Sequence, residues 1–419
     1  MTNEDTMMPA LRVNRERLWE SLMQMAQIGA TENGGSCRLA LSDEDKVGRD
    51  LFVAWCEAAG CSIEIDRMGN IFATRRGRNE HLPVATGSHL DTQPHGGRFD
   101  GVYGVLAGLE VIRTLNDHSI ETDAPIEAIV WTNEEGCRFA PAMVASGVYA
   151  GLFELDYALA CADQDGITIG DELERIGYAG HSVCGDHRLG TLFEAHIEQG
   201  PVLEHAGDTI GVVTGAQGTR WYSASIAGQD AHAGTTPMIG RRDAIAAAAD
   251  LINAVERIAL DKAPQAVGTV GALTASPNSH NTIAGQVDLR IDIRHPDHQI
   301  MLEMDNILRD RAQSIAQVRN VKIEVEEIWY KPPVLFDSGC INSVRSAAKT
   351  LGYTQQEIVS GAGHDACQVC SVVPTSMIFV PCAGGLSHNE AESAEPEDLE
   401  AGCNVLLNAM VERAGRVAS

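Results

Sequence analysis

The sequence has little positive charge relative to negative charge. Its 419 residues include 31 lysines and arginines against 58 aspartates and glutamates, which gives a formal net charge of −27. A basic groove that follows nucleic-acid phosphates is therefore not expected, and no nucleic-acid partner is predicted. At roughly 150 residues per domain the length predicts two or three domains. The hydrophobic content of 44% is sufficient to pack their cores.

The sequence also lacks an apolar run that could cross a membrane. The best candidate, 366–389, contains Pro374, Pro381 and two adjacent glycines, which a lipid-exposed helix would not tolerate. The first ten residues, MTNEDTMMPA, lack the basic and apolar pattern of a secretion signal. The 11 cysteines are odd in number and scattered along the chain, as is typical of reduced thiols. We therefore predict a cytoplasmic protein with no membrane partner.

Two common ligand-binding and catalytic patterns are missing. The glycines at 97, 101, 104 and 108 do not fit G-x-G-x-x-G, and no G-K-[ST] follows them. No serine has glycine both two residues before and two residues after it, so the nucleophile-elbow pattern is absent. Cys367 and Cys370 form a lone C-x-x-C on a predicted helix, which we interpret as two buried thiols.

Hydrophobic periodicity predicts two kinds of domain. Strands at 83–88, 126–132 and 191–197 alternate with a helix at 101–115, which predicts a layered α/β domain. Between 214 and 329 the predicted order becomes β-α-β-β-α-β, the ferredoxin-like α+β plan. The α/β pattern then resumes. We therefore predict a discontinuous α/β catalytic domain, residues 1–213 and 330–419, interrupted by an α+β domain, residues 214–329.

Histidines and carboxylates follow four of the predicted strands. Since the carboxyl ends of parallel strands meet at one edge of a sheet, these side chains are expected to lie together. Asp100 joins them from a glycine-flanked position at the start of a helix. The candidate metal ligands are His89, Asp100, Glu135, His196 and His388. Such a set suits Zn²⁺, Mn²⁺, Co²⁺ or Ni²⁺ better than Mg²⁺ or Ca²⁺, and divides between two ions if one carboxylate bridges.

The neighbours of these candidates predict supporting roles. Adjacent glutamates on an extended segment point to opposite sides, so one of Glu134 and Glu135 can bind metal while the other faces a substrate water. A metal-binding histidine usually donates its second ring N–H to a carboxylate, and Asp91 can accept it from His89. The alternatives are a solvated charge pair for the glutamates and a polar surface loop for His-x-Asp.

Five segments carry a resemblance to a known group of enzymes. They are GSHLDT at 87–92, GGRFDG at 96–101, TNEEG at 132–136, HIEQGP at 196–201 and LSHNE at 386–390. In this order they resemble the two-metal amidohydrolases that include N-carbamoyl-L-amino-acid hydrolase, β-ureidopropionase and allantoate amidohydrolase, relatives of the dizinc exopeptidases.

The resemblance implies a role for each candidate residue. Asp100 would bridge two divalent transition-metal ions, with His89 and His196 on one ion and Glu135 and His388 on the other. Glu134 would be the general base. Asp91 would orient His89.

The resemblance also implies that the inserted domain is a lid that mediates homodimerisation. The implied substrate-binding residues are Gln199, His232, Asn281 and Arg294, and His232 would also stabilise the oxyanion. The planar guanidinium of Arg294 suits a substrate carboxylate. The alternative is that Arg294 faces solvent with the other charged residues of its strand. The chain departs from many relatives at Ala284, where they have proline.

The predicted function is hydrolysis of the ureido C–N bond of an N-carbamoyl-L-amino acid or N-carbamoyl-β-alanine, giving the amino acid, CO₂ and ammonia. Bound metal ions and a carboxylate that shuttles protons would provide the chemistry. The alternatives are an allantoate amidohydrolase, a dipeptidase or aminoacylase, and a silent metal-binding scaffold. His196 argues against the dipeptidase by resemblance, and the intact ligand set argues against the scaffold. His364 is left outside the predicted metal set.

Overall fold

The computed structural model describes residues 10–417. Most of the segment examined for a secretion signal, residues 1–9, therefore lies outside the described residues. The chain divides into two compact units. The first contains the chain up to Thr214 and from Phe336 onward, and the second is Gly215–Leu335. The second unit therefore interrupts the first along the sequence.

The described residues form strands and helices in alternation. The strands are β1 (Ser62–Ile65), β2 (Ile71–Arg75), β3 (Val84–His89), β4 (Ile126–Trp131), β5 (Thr191–Ile197), β6 (Ile210–Ala216), β7 (Gly218–Ala227), β8 (Ala231–His232), β9 (Val267–Ser276), β10 (Thr282–Ile283), β11 (Gln286–His295), β12 (Lys322–Lys331), β13 (Val334–Leu335), β14 (Gln355–Ser360) and β15 (Thr375–Val380). The helices are α1 (Arg15–Met25), α2 (Asp43–Ala58), α3 (Val102–Asp117), α4 (Val144–Tyr149), α5 (Leu155–Ala160), α6 (Ile169–Ile176), α7 (Val202–Ala206), α8 (Ala244–Leu260), α9 (His298–Arg319), α10 (Ser338–Leu351), α11 (Ala366–Val369) and α12 (Pro396–Ala414), with a short 3₁₀ helix at Ala383–Gly385. Across residues 10–417, no helix combines the length and the apolar composition needed to span a membrane.

The large sheet of the first unit has the strand order β1-β2-β4-β3-β5-β15-β6, and β14 also pairs with β6. Its four central strands, β4, β3, β5 and β15, are mutually parallel. Helix α3 packs on β3, β4 and β5, and α12 packs on α3 and β15. The predicted α/β class is confirmed. The carboxyl ends of the four parallel strands lie along one edge of the sheet.

The central strands are buried on both faces, and they bury polar residues such as Glu127 and Glu194 together with their apolar residues. Every residue of β3, β4, β5 and β15 is buried. Helix α3 is also buried around most of its circumference. Its first residue follows Gly101, whose φ of 68° lies in the left-handed region and whose missing side chain makes room for the His89 imidazole. A side chain at Gly101 would place Cβ 2.3 Å from that ring.

The second unit contains an antiparallel sheet of order β12-β7-β11-β9 and a separate pair, β8-β10. Helices α8 and α9 pack against one another and against strands of the sheet. Alternate residues of β7 and β11, such as Tyr222 and Leu289, point into a core shared with Leu251 of α8 and Leu308 of α9. The observed element order is β7-α8-β9-β11-α9-β12, with β8 and β10 added as a small extra pair.

The second unit ends later than residue 329, the boundary predicted from the sequence. Strand β12 continues to Lys331, and Val334 and Leu335 of β13 then pair with Ala216 and Gly215. This pairing keeps 330–335 with the second unit. Pro332 and Pro333 connect β12 to β13.

Candidate active site

The carboxyl edge of the parallel strands brings the five predicted metal ligands together. His89 ends β3, and His196 is the last but one residue of β5. Glu135 and His388 lie in the loops after β4 and β15, and Asp100 directly precedes Gly101 at the start of α3. All five side chains line one cavity of about 160 Å³ within the first unit.

Asp100 lies between two groups of potential ligands. Its Oδ1 atom is 3.2 Å from His196 Nε2 and 3.6 Å from His89 Nε2. Its Oδ2 atom is 3.6 Å from His388 Nε2, which lies 3.4 Å from Glu135 Oε2. In each group the ligand atoms lie within 4.8 Å of one another, and Asp100 is the residue that both groups share.

Backbone carbonyls fix the tautomers of the two buried histidines. His89 Nδ1 is 2.8 Å from the carbonyl oxygen of Asp91, and His196 Nδ1 is 2.9 Å from that of Ile197. Since a carbonyl oxygen only accepts hydrogen bonds, each Nδ1 carries hydrogen and donates it. In the neutral rings, both Nε2 atoms therefore carry a lone pair close to the Asp100 carboxylate, and that of His196 accepts a hydrogen bond from the Gly101 backbone N–H at 3.1 Å. A proton or a cation between the rings and the carboxylate would stabilise this arrangement.

The separations of these atoms fit a metal ion. Ligands about 2.1 Å from a tetrahedral ion lie roughly 3.4 Å from one another. The measured N···O distances to Asp100 Oδ1 are 3.2 and 3.6 Å. The donor set of imidazole nitrogens and carboxylate oxygens is the set that transition metals prefer. The residues present therefore fit ions of this class.

The pKa values of the carboxylates in the cavity shift in opposite directions. Burial raises the pKa of Glu134 well above the usual value, and it also raises the pKa of Glu135. Burial opposes ionisation of Asp100 too, but the imidazoles of His196 and His89 outweigh it and hold the pKa of Asp100 well below its usual range. Carboxylates at this density need nearby positive charge, which bound cations supply.

The structure corrects the contact predicted for Asp91. Its carboxylate does not accept the His89 hydrogen, because Oδ1 lies 4.0 Å from His89 Nδ1. The backbone carbonyl of Asp91 accepts that hydrogen. The carboxylate accepts hydrogen bonds from the backbone N–H groups of Glu134, at 3.3 Å, and Glu135, at 3.2 Å. Asp91 therefore links the His89 loop to the glutamate loop.

The two glutamates also do not occupy an extended segment. Strand β4 ends at Trp131, and the chain bends at Asn133, whose φ is 57°. The Asn133 side chain donates to the carbonyl of Phe139 and stabilises this bend. Both glutamates line the cavity. Glu134 Oε2 lies 3.6 Å from His89 Nε2, whereas Glu135 lies beside His388.

Gln199 lines the same cavity, where it contacts Asp100. Its Nε2 atom donates to Asp100 Oδ2 at 2.7 Å. Its Oε1 atom is buried without a hydrogen-bond partner. The substrate contact implied for Gln199 stays a prediction.

Several side chains at the site were not identified from the sequence. Gln93 Nε2 donates to Glu135 Oε2 at 2.8 Å. His364, which the sequence analysis left unassigned, is buried, lines the cavity and forms a third potential ligand group with Glu194 and His196. Glu194 is two residues before His196 on β5, so period-two alternation could have placed both on one face. No local pattern marks Gln93.

Cys367 and Cys370 are only partly as predicted. Cys367 lies in α11 and is buried, whereas Cys370 directly follows α11 and is half-buried.

The predicted substrate residues of the second unit include a neighbouring pair. His232 lies on β8 and Asn281 directly precedes β10, the partner strand of β8. His232 Nδ1 accepts hydrogen bonds from the backbone N–H groups of Gly234 and Thr235. The hydrogen of the neutral ring therefore lies on Nε2, and this exposed atom is a hydrogen-bond donor.

Arg294 lies on β11 of the second unit and is half-buried. Its Nε and Nη2 atoms donate to the Asp292 carboxylate at 3.0 and 2.8 Å. Trp221 Nε1 donates to the same carboxylate at 3.0 Å. Arg294 is therefore not a simple solvent-facing charge, because Asp292 and Trp221 fix its position.

Comparisons with known proteins agree with this architecture. The sequence family described as peptidase family M20/M25/M40 matches residues 85–412. The chain is 49% identical to an N-carbamoyl-L-amino-acid amidohydrolase of Rhizobium meliloti, over 96% of this chain and 97% of the relative. It is 38% identical to a Geobacillus stearothermophilus enzyme of the same name, over 94% and 98%. A crystal structure of a hydantoinase/carbamoylase family amidase from Burkholderia multivorans superposes with a TM-score of 0.95 at 57% identity, covering 97% of this chain and 99% of that one.

Proposed function

Because the chain belongs to peptidase family M20/M25/M40 and is a hydrolase of amide C–N bonds, we propose that it cleaves the ureido bond of N-carbamoyl-L-amino acids. The products would be the amino acid and carbamate, which decomposes to CO₂ and ammonia. One observation carries the proposal. Five potential metal ligands and a buried glutamate line a single cavity, in a chain similar over nearly its whole length to enzymes named for this reaction.

Two divalent transition-metal ions form part of the proposal. His89 and His196 would hold one ion, Glu135 and His388 the other, and Asp100 both. The donor set favours Zn²⁺, Mn²⁺, Co²⁺ or Ni²⁺. When bound, such ions polarise a carbonyl and bring the pKa of a water molecule toward neutrality.

Glu134 is the proposed proton shuttle. Its carboxylate would accept a proton from the attacking water as the oxygen bonds to the ureido carbon. It would then pass the proton to the leaving nitrogen as the C–N bond breaks. Its position fits this role, since Glu134 lines the cavity and its Oε2 atom lies 3.6 Å from His89 Nε2. Asp91 would keep Glu134 in place through the Glu134 backbone N–H.

Residues of the second unit would recognise the substrate. The Nε2–H of His232 suits an oxyanion, and Asn281 is its neighbour in this unit. Gln199 of the first unit would add a further contact.

We also propose that the second unit mediates homodimerisation. In support, its edge strand β9 exposes Val267 and Leu273, and an exposed apolar edge favours pairing with another chain. Buried free thiols such as Cys56 and Cys403 are compatible with the proposed cytoplasmic location.

The function is tested by a panel of substrates. Ammonia and amino acid release would be measured for N-carbamoyl-L-amino acids, their D enantiomers, N-carbamoyl-β-alanine, allantoate, an N-acetyl amino acid and a dipeptide. We expect the highest kcat/KM on N-carbamoyl-L-amino acids. Hydrolysis of allantoate alone would establish an allantoate amidohydrolase. Turnover restricted to the dipeptide or the N-acetyl substrate would also contradict the proposal, and absence of turnover on the whole panel would favour a silent scaffold.

Arg294→Lys is expected to raise KM by about 10- to 100-fold with little change in kcat. Lysine keeps the charge but lacks the planar guanidinium that Asp292 orients, and a hydrogen bond to a charged group contributes about 1.5–3 kcal/mol. Steady-state kinetics on an N-carbamoyl-L-amino acid would measure the change. The matched control is Arg290→Lys on the same strand, where the side chain is exposed and donates to Ser223 Oγ. Equal effects of the two substitutions would contradict the assignment of Arg294.

A further inference from the structure

A buried glutamate outside the potential ligand groups lies directly behind Asp100. Glu392 is 1% exposed and follows His388 in the loop after β15. Its Oε1 atom accepts hydrogen bonds from the backbone N–H groups of Phe99, at 2.9 Å, and Asp100, at 3.2 Å. The carboxylate of one loop therefore fixes the backbone of the other.

Ser387 links the side chains of the same two loops. Its hydroxyl lies 2.5 Å from Asp100 Oδ2 and 3.1 Å from Glu392 Oε2. Gln199 Nε2 donates to Asp100 Oδ2 and also lies 3.3 Å from the Ser387 hydroxyl. These contacts orient Oδ2 toward the His388 group, while Oδ1 remains directed at His89 and His196.

Gly97 provides the space that Glu392 occupies. A Cβ atom at Gly97 would lie 2.0 Å from the carboxyl carbon of Glu392, closer than any real contact. The φ of Gly97 lies outside the left-handed region, so this position needs glycine for the approach of the carboxylate and not for its backbone conformation. A methyl group here would displace Glu392 while leaving its chemistry intact.

We propose that Glu392 is a positioning residue that fastens the Asp100 loop to the His388 loop, so that one carboxylate serves both groups of metal ligands. The proposal rests on the proposed function in one respect, because it takes the two groups of metal ligands that share Asp100 as ion-binding sites. Glu392 acts through the backbone of Asp100 and through Ser387, and it contacts neither substrate nor ion. Groups that orient metal ligands in this way typically contribute 10- to 100-fold to metal affinity.

The test compares ion binding by purified full-length Glu392→Ala, Glu392→Gln and wild-type protein. Elemental analysis would count ions per chain, and titration of the metal-free proteins with Mn²⁺ would give affinities. We expect Glu392→Ala to weaken binding of at least one ion by about 10- to 100-fold. Glu392→Gln keeps an acceptor for both N–H groups and a donor for Ser387, so its affinity should stay close to that of the wild type.

The matched control is Glu390→Gln, because Glu390 lies in the same loop but accepts a hydrogen bond from Asn33, away from Asp100. Its ion affinity should be unchanged. Gly97→Ala is a second probe, expected to reproduce the loss seen in Glu392→Ala with Glu392 still present, and it decides the question if Glu392→Ala does not fold.

If Glu392→Ala binds ions with the affinity of the wild type, the proposal is overturned, even if this variant melts at a lower temperature. If Glu392→Ala does not fold, the same result in Gly97→Ala overturns it. A wild-type protein that binds two ions but hydrolyses no ureido acid would refute the proposed function while leaving this comparison decisive.

Discussion

Replacing Glu134 by glutamine is expected to lower kcat on N-carbamoyl-L-amino acids by about 10²- to 10⁴-fold, the usual contribution of a positioned proton-transfer group. Glutamine keeps the shape of the side chain but cannot accept a proton from water. Because Glu134 belongs to neither of the ligand groups that share Asp100, both ions should remain bound. Steady-state kinetics together with elemental analysis of the same preparation would measure both effects.

Glu135→Gln is the matched control for this prediction, since it makes the same chemical change one residue later. Glu135 belongs to the group with Asp100 and His388, so its replacement should reduce the number of bound ions. The two variants should therefore differ in metal content although both lose activity. Retention of more than about a tenth of wild-type kcat by Glu134→Gln would contradict the assignment of the base.

The strand ends could be predicted because burial makes their sequences distinctive. Strands β3 and β5 are buried on both faces, and His89 and His196 lie at or near their carboxyl ends. The parallel order of the sheet then brings them together, as the sequence predicted. The predicted potential to bind metal follows from these residue types and this topology.

The local geometry around the glutamates could not be predicted in the same way. The bend at Asn133 has a positive φ without a glycine to mark it, so an extended segment was expected. The carboxylate of Asp91 accepts from backbone N–H groups across this bend. Backbone groups are the same at every residue, and therefore no side-chain pattern in the sequence reports such a contact.

Contacts between distant loops were also beyond the sequence. Glu392 and Asp100 are 292 residues apart, and only the packing of the loops after β15 and before α3 brings them together. In the sequence Glu392 is one of several acidic residues in a loop, for which a solvated position is the usual expectation. Its burial becomes apparent only when Gly97 and the Asp100 backbone are in place.

The electrostatics of the cavity connect metal binding to stability. Burial and neighbouring carboxylates raise the pKa values of Glu134 and Glu135, which means that their charged forms are unfavourable in this environment. Bound cations would remove that penalty in the folded chain but have no preformed site in the unfolded chain. Metal binding should therefore stabilise the fold as well as supply the chemistry.

Withdrawal of metal is accordingly expected to abolish activity and to lower Tm by on the order of 10 °C. An ion present at about 1,000 times its Kd contributes about 4 kcal/mol, and each kcal/mol shifts Tm by about 2–4 °C in a domain of 150–250 residues. Calorimetry and ammonia release would be measured on chelator-treated protein before and after addition of single metals. Zn²⁺, Mn²⁺, Co²⁺ or Ni²⁺ should restore both quantities, whereas Mg²⁺ and Ca²⁺ should not, because they prefer oxygen ligands.

In Asp100→Asn, which lacks the carboxylate common to both groups of metal ligands, chelation should change Tm little. Full activity in chelator-washed protein that contains no transition metal would contradict the two-ion site, because the proposed chemistry depends on bound ions to polarise the carbonyl and to lower the pKa of water.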